Sequence, residues 1–468
     1  MNVILMSLDT LRADRLSCYG HWRPTSPNLD RVAAQGAICT EFFSPHIPTF
    51  PGHTTMMTGR DVYAHRITSQ SATPALDPSI PMLAETLAGA GYFTAAADNL
   101  GRWFQRGVQL TETYAWDTTV KSAWRKAEAV NQAAFRVIDA AAAQDSPFYL
   151  FLHFWDPHTP YLPPAPFDRM FYAGDEKDPR NRSMDAVWAF ENFKWYFREW
   201  MSGVTDIEFP KAQYDAEIAY MDACLAHVFA RLEDRGLVDD TLLVIMTDHG
   251  EELDEHGCWF DHHGLYDPNV RIPCILRCPG VIEAGTRLRG FARSQDVVPT
   301  VLDYAGLLDR VAKLDGASLR PLLERAASHG DSAVPSGTCD ALFLTENTWM
   351  KKRAIRTHAW KLIVALESDI HGLPPLELFD LTTDPGEKVN LADELPEVVS
   401  ELRGRLDDHV RRRLAETGTT DPLPEQPIPL RRVGRMEEAV PTDREEKAAA
   451  HDEKLDAGDF VGYERDDC

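Results

Sequence analysis

Ile47-Pro48-Thr49-Phe50-Pro51-Gly52-His53-Thr54-Thr55-Met56-Met57-Thr58-Gly59-Arg60 is a proline-bounded turn that reads straight into a hydroxyl-rich helix. A threonine opening such a helix has two readings: it caps the helix by accepting from backbone N–H groups, or it presents its hydroxyl as a nucleophile. The rest of the chain bears on the choice. Asn2-Val3-Ile4-Leu5-Met6-Ser7-Leu8-Asp9, Phe148-Tyr149-Leu150-Phe151-Leu152-His153-Phe154-Trp155-Asp156-Pro157-His158 and Thr241-Leu242-Leu243-Val244-Ile245-Met246-Thr247-Asp248-His249 are apolar runs that each end in carboxylates or imidazoles. They read as buried strands, and open parallel sheets bind ligands at the carboxyl ends of their strands.

Asp9, Asp248 and His249, joined by the Thr49 hydroxyl, make a mixed oxygen and nitrogen ligand set. Such a set suits manganese, zinc or iron better than the all-oxygen cage of calcium, although calcium is not excluded. One metal site is expected. Asp156, His158 and His262 or His263 offer an alternative second site, and a pair of metals would clamp the attacking and leaving oxygens of an in-line displacement.

These stretches, in this order, resemble the sulfatases of the alkaline phosphatase superfamily over about residues 2 to 391. Leu11-Arg12-Ala13-Asp14-Arg15, Pro27-Asn28-Leu29-Asp30-Arg31, Asp156-Pro157-His158-Thr159-Pro160-Tyr161 and Asp248-His249-Gly250-Glu251 carry the likeness, as does the closing Thr382-Thr383-Asp384-Pro385-Gly386. It implies an α/β sandwich with a central mixed, mostly parallel sheet and a smaller C-terminal α+β domain. The departures are informative. Sulfatases carry a Cys, oxidised to formylglycine, where this chain has Thr49, and an Arg where it has His53. Calcium-binding members have two adjacent aspartates where this chain has Asp9 and Thr10, and a lysine precedes their Leu-Tyr where this chain has His262 and His263.

Threonine cannot become an aldehyde, but its alkoxide can attack phosphorus and form a phosphothreonine that water then cleaves. Nucleotide pyrophosphatase/phosphodiesterases resemble the chain in using a Thr nucleophile. The expected activity is therefore metal-dependent hydrolysis of a small phosphodiester or phosphonate monoester. A sulfatase, a phosphomonoesterase or a silent sulfatase-like binding protein are the alternatives. In the resemblance His158 faces the scissile ester and serves the leaving oxygen, assisted by His262 or His263, while His53 orients or activates Thr49. By likeness to phosphonate monoester hydrolases, Gln70 holds a nonbridging oxygen. Asn99 and Arg102 are placed as further substrate donors.

The 468 residues suffice for a large core and two structural units. A formal charge of −25 argues against a nucleic-acid duplex or an anionic membrane as the main partner, but a metal-bearing pocket can still take a small anionic ester. The chain starts at once with a strand pattern, without an export signal, which points to the cytoplasm. Eight cysteines show neither a disulfide framework nor the paired spacing of a zinc site, and they read as reduced thiols.

Strand and helix patterns alternate: helices at 80–90, 122–143, 214–236 and 294–305, and strands at 93–97, 242 onward and 271–277. The catalytic domain is expected at 1–330, with an aromatic-rich insertion at 168–211 that reads as a lid, a subunit contact or a satellite cluster. Short strands within 341–380 and a helix at 396–414 predict a C-terminal small-sheet subdomain at 338–415. The charged tail, 416–468, reads as an arm of a homo-oligomer or as a mobile extension, with Leu455, Phe460, Val461 and Tyr463 as the apolar anchors of the arm.

Overall fold

A computed structural model of the chain describes residues 1–70, 74–114, 126–329 and 337–428. Its centre is a nine-stranded sheet built from β1 (Asn2–Leu8), β2 (Ala37–Phe43), β4 (Phe93–Ala97), β5 (Leu110–Glu112), β6 (Phe148–Phe154), β7 (Thr241–Met246), β8 (Arg271–Ile272), β9 (Cys274–Arg277) and β10 (Thr286–Arg293). The order is β10-β2-β9-β7-β1-β6-β4-β5, with β8 pairing β2 off this path. Pairings are parallel except where β9 meets β2 and β7 and where β8 meets β2, so the sheet is mixed and mostly parallel.

The period of two along a strand explains why the central strands are apolar almost throughout. Val3 and Leu5 join the core on one face with Tyr149, Phe151 and Val244, whereas Ile4, Met6 and Leu8 join the other with Leu150, Leu152 and Ile245. Helices Ala127–Ala142 and Glu208–Asp234 cover the second face through Val130, Ile138 and Leu225. Helices Thr49–Thr58 and Val297–Tyr304 cover the first through Met56, Met57 and Val301. Proline explains the break between β8 and β9, since Pro273 has no N–H to give the ladder.

The second sheet runs β14 (Leu376–Asp380), β13 (Trp360–Ala365), β12 (Lys351–Arg356), β11 (Leu342–Asn347) and β3 (His46–Ile47). Its four C-terminal strands are antiparallel, as their patterns predict, but β3 is lent by the N-terminal part and pairs parallel with β11. The two residues before the Pro48-Thr49 turn are thereby fixed to the smaller sheet. The helix expected at 122–143 starts at Ala127, and residues 122–125 lie outside the described part.

The insertion folds as short helices Asp185–Ala189 and Glu191–Met201, whose Phe193, Tyr196 and Phe197 belong to the main core rather than to a satellite cluster. Residues 417–428 also pack onto the body: Leu423 is buried, and Gln426 accepts from Thr68 Oγ1 at 2.6 Å and donates to Arg66 O at 2.7 Å. The anchors Leu455, Phe460, Val461 and Tyr463 lie outside the described residues. Among the described residues, no helix is long and apolar enough to cross a membrane.

Candidate active site

β1 lies between β6 and β7 with Leu8 opposite Phe154 and Ser7 opposite both His153 and Met246, so the three strands end at one level. That register brings Asp9 to Asp248 and His249. One ligand atom from each of the three lies within 4.8 Å of the others, and all three residues are fully buried. His249 Nδ1–H donates to Gly250 O at 3.0 Å, which turns the Nε2 lone pair toward Asp248 Oδ2 at 3.1 Å and Asp9 Oδ1 at 4.0 Å.

Thr49 does not cap its helix. Pro48 holds the N-cap position and no side-chain cap bond is made there, while the Thr49 hydroxyl lies 3.2 Å from His249 Nε2. Gly52 allows this approach, because a Cβ at that position would stand 2.9 Å from Asp248 O. His53 supports the arrangement from beneath: Nδ1–H donates to Thr49 O at 3.0 Å and lies 3.4 Å from Asp248 Oδ2, and Nε2 accepts from Ser7 Oγ at 3.0 Å. It thus touches the backbone of Thr49 rather than its hydroxyl, and burial pushes its imidazole below the ordinary range.

Asp9 Oδ1 and Asp248 Oδ2 are buried carboxylate oxygens without a hydrogen-bond partner. Leaving such charge unmatched is costly, so the donor set fits a divalent cation. A third imidazole, His153, also serves the set. Its ring bonds Asp9 Oδ2 at 3.2 Å and Asp98 Oδ1 at 3.0 Å. Burial opposes its charge, but these two carboxylates hold its pKa up at about 9. Asp9 is in turn held below the usual carboxylate range: burial works the other way, and the bond from His153 and the nearby His158 and His249 outweigh it. Sequence reasoning missed His153. The available signal was one polar side chain inside the apolar run Phe148–Phe154, level with Ser7.

His158 and His262 complete one wall. Their ring centroids are 4.9 Å apart, and His262 stacks on His249 at 4.7 Å. His158 Nδ1–H donates to Thr159 O at 2.8 Å. Burial drives His262 well below its ordinary pKa, with Asp261 opposing, so it stands as a neutral imidazole. His263 goes elsewhere: its Nε2 is 2.7 Å from His371 Nε2, and among the described residues it makes no contact with Thr49, Asp9, Asp248 or His249. Of the two expected assistants, His262 is the one at the cluster.

Asp156 is also engaged elsewhere. Its Oδ2 accepts from Ala127 N at 2.7 Å at the start of a helix, and Lys126 Nζ stands 4.0 Å away. The expected second metal set of Asp156 with His158 and His262 or His263 is therefore not assembled. A different group, Glu251, Asp261 and His262, is brought within 4.8 Å. Glu251 is fully buried with both oxygens unpartnered, and burial together with Asp261 and Asp9 pushes its carboxyl well above the ordinary range.

Of the expected substrate donors, Gln70 and Arg102 flank Phe50, the residue after Thr49. Gln70 Oε1 accepts from Phe50 N at 3.1 Å, and the Arg102 guanidinium lies 5.0 Å from the Phe50 ring centroid. Asn99 is tied to the backbone of Tyr114, donating to its O at 2.8 Å.

With this geometry in place, similarity defines the class. The sulfatase family model matches residues 1–307, and the C-terminal model of N-sulphoglucosamine sulphohydrolase matches residues 254–412. The chain belongs to the sulfatase family, a family of hydrolases that use a divalent metal ion, within the alkaline phosphatase superfamily. It is 26% identical over 472 residues to the multifunctional alkaline phosphatase superfamily protein PehA of Trinickia caryophylli, covering 84% of this chain and 91% of that one. To human arylsulfatase A it is 26% identical over 451 residues, 86% of each chain. Its fold is similar to that of the phosphonate monoester hydrolase of Agrobacterium radiobacter, with a TM-score of 0.70, 23% identity and coverage of 89% and 96%.

Proposed function

We propose that this hydrolase cleaves a small phosphodiester or phosphonate monoester through a phosphothreonine at Thr49. The observation that carries the reading is the Thr49 hydroxyl, diverted from capping to a place 3.2 Å from His249 Nε2 beside two unpartnered carboxylate oxygens. Asp9, Asp248, His249 and the Thr49 oxygen would hold the metal, and the nitrogen in this set favours manganese or zinc. A metal held there would lower the pKa of the hydroxyl and would neutralise charge on the ester oxygens.

Thr49 Oγ, its proton lost to water, attacks phosphorus, and the bond to the leaving oxygen breaks as the new P–O bond forms. His158 as imidazolium gives that oxygen a proton, leaving a neutral ring. A water then attacks phosphorus in this Thr49 ester and gives one proton to His158, and the Thr49 Oγ–P bond breaks as the Thr49 oxygen takes back a proton from solvent. Gln70, anchored by Phe50 N, would direct its amide N–H at a nonbridging oxygen, and Arg102 would add positive charge at the same edge. His262 would accept a hydrogen bond from substrate or water.

The similarity to arylsulfatase A supports sulfate-ester cleavage as the competing reading. Parallel turnover of phosphodiester, phosphonate monoester, phosphate monoester and aryl sulfate under several divalent metals tests it, with acid quenching to trap the intermediate. An alkylphosphoryl group from a diester, or an alkylphosphonyl group from a phosphonate monoester, is expected on Thr49 by mass spectrometry, and Thr49→Ala should lower turnover by several orders of magnitude. A dominant sulfatase rate, or near-normal activity of Thr49→Ala, would overturn the proposal.

A further inference from the structure

Outside the Thr49 site, Cys258, His263 and His371 bring one ligand atom each to within 4.8 Å of one another. Cys258 and His263 are fully buried, and His371 is half-buried. The two Nε2 atoms share a hydrogen bond at 2.7 Å with the ring centroids 4.8 Å apart, so the two nitrogens already lie together. His263 Nδ1 is a buried atom without a hydrogen-bond partner, 3.6 Å from Asp261 Oδ2, an oxygen that also accepts from Trp349 Nε1 at 3.0 Å. A carboxylate behind the distal nitrogen is the arrangement that orients metal-bound histidine.

The three residues come from separate parts of the fold. Cys258 and His263 lie on the loop between β7 and β8, and His371 lies in the connection from β13 to β14. The insertion helix Glu191–Met201 covers them: Phe193 stacks on His263 at 5.6 Å, and Phe190, just before the helix, stacks on His371 at 4.6 Å. Asp369 holds the 369–373 turn, accepting from the backbone N–H of His371 at 2.9 Å and Leu373 at 3.2 Å, and it pairs with Lys352 at 3.2 Å.

We propose that Cys258, His263 and His371 form a second, thiolate-containing site for a zinc-class divalent ion, distinct from the Thr49 site. One thiolate and two imidazoles are a zinc-type donor set, and a water would take the fourth tetrahedral position. Binding forms one metal–sulfur bond and two metal–nitrogen bonds. The Cys258 thiol proton leaves to solvent, and the proton held between the two Nε2 atoms moves to an Nδ1 as that ring changes tautomer. The ion would fasten the connection between β13 and β14 of the C-terminal sheet to the loop carrying His262, so it belongs to the support of the active site rather than to its chemistry. Cysteine spacing gives no hint of such a site, since it uses one cysteine and a histidine 108 residues from its partner.

Cobalt(II) titration of the full-length protein tests this with a readout that the Thr49 site cannot produce, because that site holds no cysteine. A thiolate-to-cobalt charge-transfer band should appear in the near ultraviolet, reach one equivalent, and bleach when zinc is added. Cys258→Ser and, independently, His371→Ala should each lose the band. Both should keep the metal equivalent bound by Asp9, Asp248 and His249, measured by elemental analysis. No band in the wild-type chain, or a band that survives in folded Cys258→Ser, overturns the proposal. His371→Ala on its half-buried turn provides the test should the buried serine variant fail to fold, and a wild-type band in that variant overturns it equally.

Discussion

Gly52→Ala should damage this protein, whereas the same substitution at Gly404 should stabilise it. Gly52 lies in the first turns of helix Thr49–Thr58, and an added Cβ would meet Asp248 O at 2.9 Å and Asp248 Cβ at 3.1 Å. Asp248 follows a central strand buried on both sides, so its backbone has no direction in which to yield. Overpacking of this kind costs roughly 1–3 kcal/mol. Alanine's better helix propensity offsets about 1 kcal/mol of it, which leaves a net loss of about 0–2 kcal/mol, toward the upper end because the neighbour is rigid. Gly404 sits in helix Pro396–Thr417, exposed, with nothing within 4 Å of its added Cβ. There only the propensity term remains, a gain of about 0.5–1 kcal/mol. Because the clash pushes Thr49 and Asp248 apart, Gly52→Ala should also lose activity. With a 1 Å misplacement costing on the order of 100-fold, a shift of a few tenths of an ångström corresponds to roughly tenfold or less. Urea denaturation and turnover of the preferred ester measure both effects. Wild-type stability and turnover in Gly52→Ala would refute the close-approach argument, and a comparable loss in Gly404→Ala would show that glycine-specific backbone geometry is responsible instead.

Asp248→Asn should abolish the stabilisation that divalent metal confers, since Asp248 Oδ2 makes no hydrogen bond within the protein and is available to a cation; a metal-induced rise in melting temperature equal to that of wild type would refute that account. His256 lies 3.0 Å from Glu252 and stacks on Tyr266, and although burial opposes its charge, Glu252 raises its pKa to about 9. A raised folded pKa gives stability that is lost as pH climbs through about 9, and burial pushes the partner Glu252 up to about 7, so both groups are charged only above that; the advantage of wild type over His256→Gln should therefore shrink from about pH 8 toward pH 9.5. An advantage that grows over that same range in paired melts would reverse the assignment. Truncation after Ile428 should preserve the melting temperature and lower the mass in light scattering if the tail is an oligomer arm. Truncation after Glu416 should also destabilise, because it removes buried Leu423 and the bonds of Gln426 to Thr68 and Arg66; equal melting of the two would contradict that packing.

The sequence by itself determined the alternation of strands and helices and the three apolar runs that end in Asp9, the Asp156–His158 segment and Asp248–His249. These are local properties. A strand buried on both faces must be apolar at successive positions, and proline must interrupt a ladder where it falls, as Pro273 does. The kinds of side chain at the strand ends also limited the chemistry to metal and acid–base work. Only the tertiary structure decided which of those side chains meet. His262 reaches His249 while its neighbour His263 reaches His371, and Asp156 is spent on the start of a helix although it stands two residues from His158. Successive loop residues point where their backbone angles send them, and no periodicity records those angles. The bonds of His153 to Asp9 and Asp98 depend on parallel register between strands more than fifty residues apart, and β3 finds its partner almost three hundred residues downstream. Chain pattern sets what each segment is; the long-range pairing of segments sets which buried charges face each other, and in this protein that pairing assembles the site.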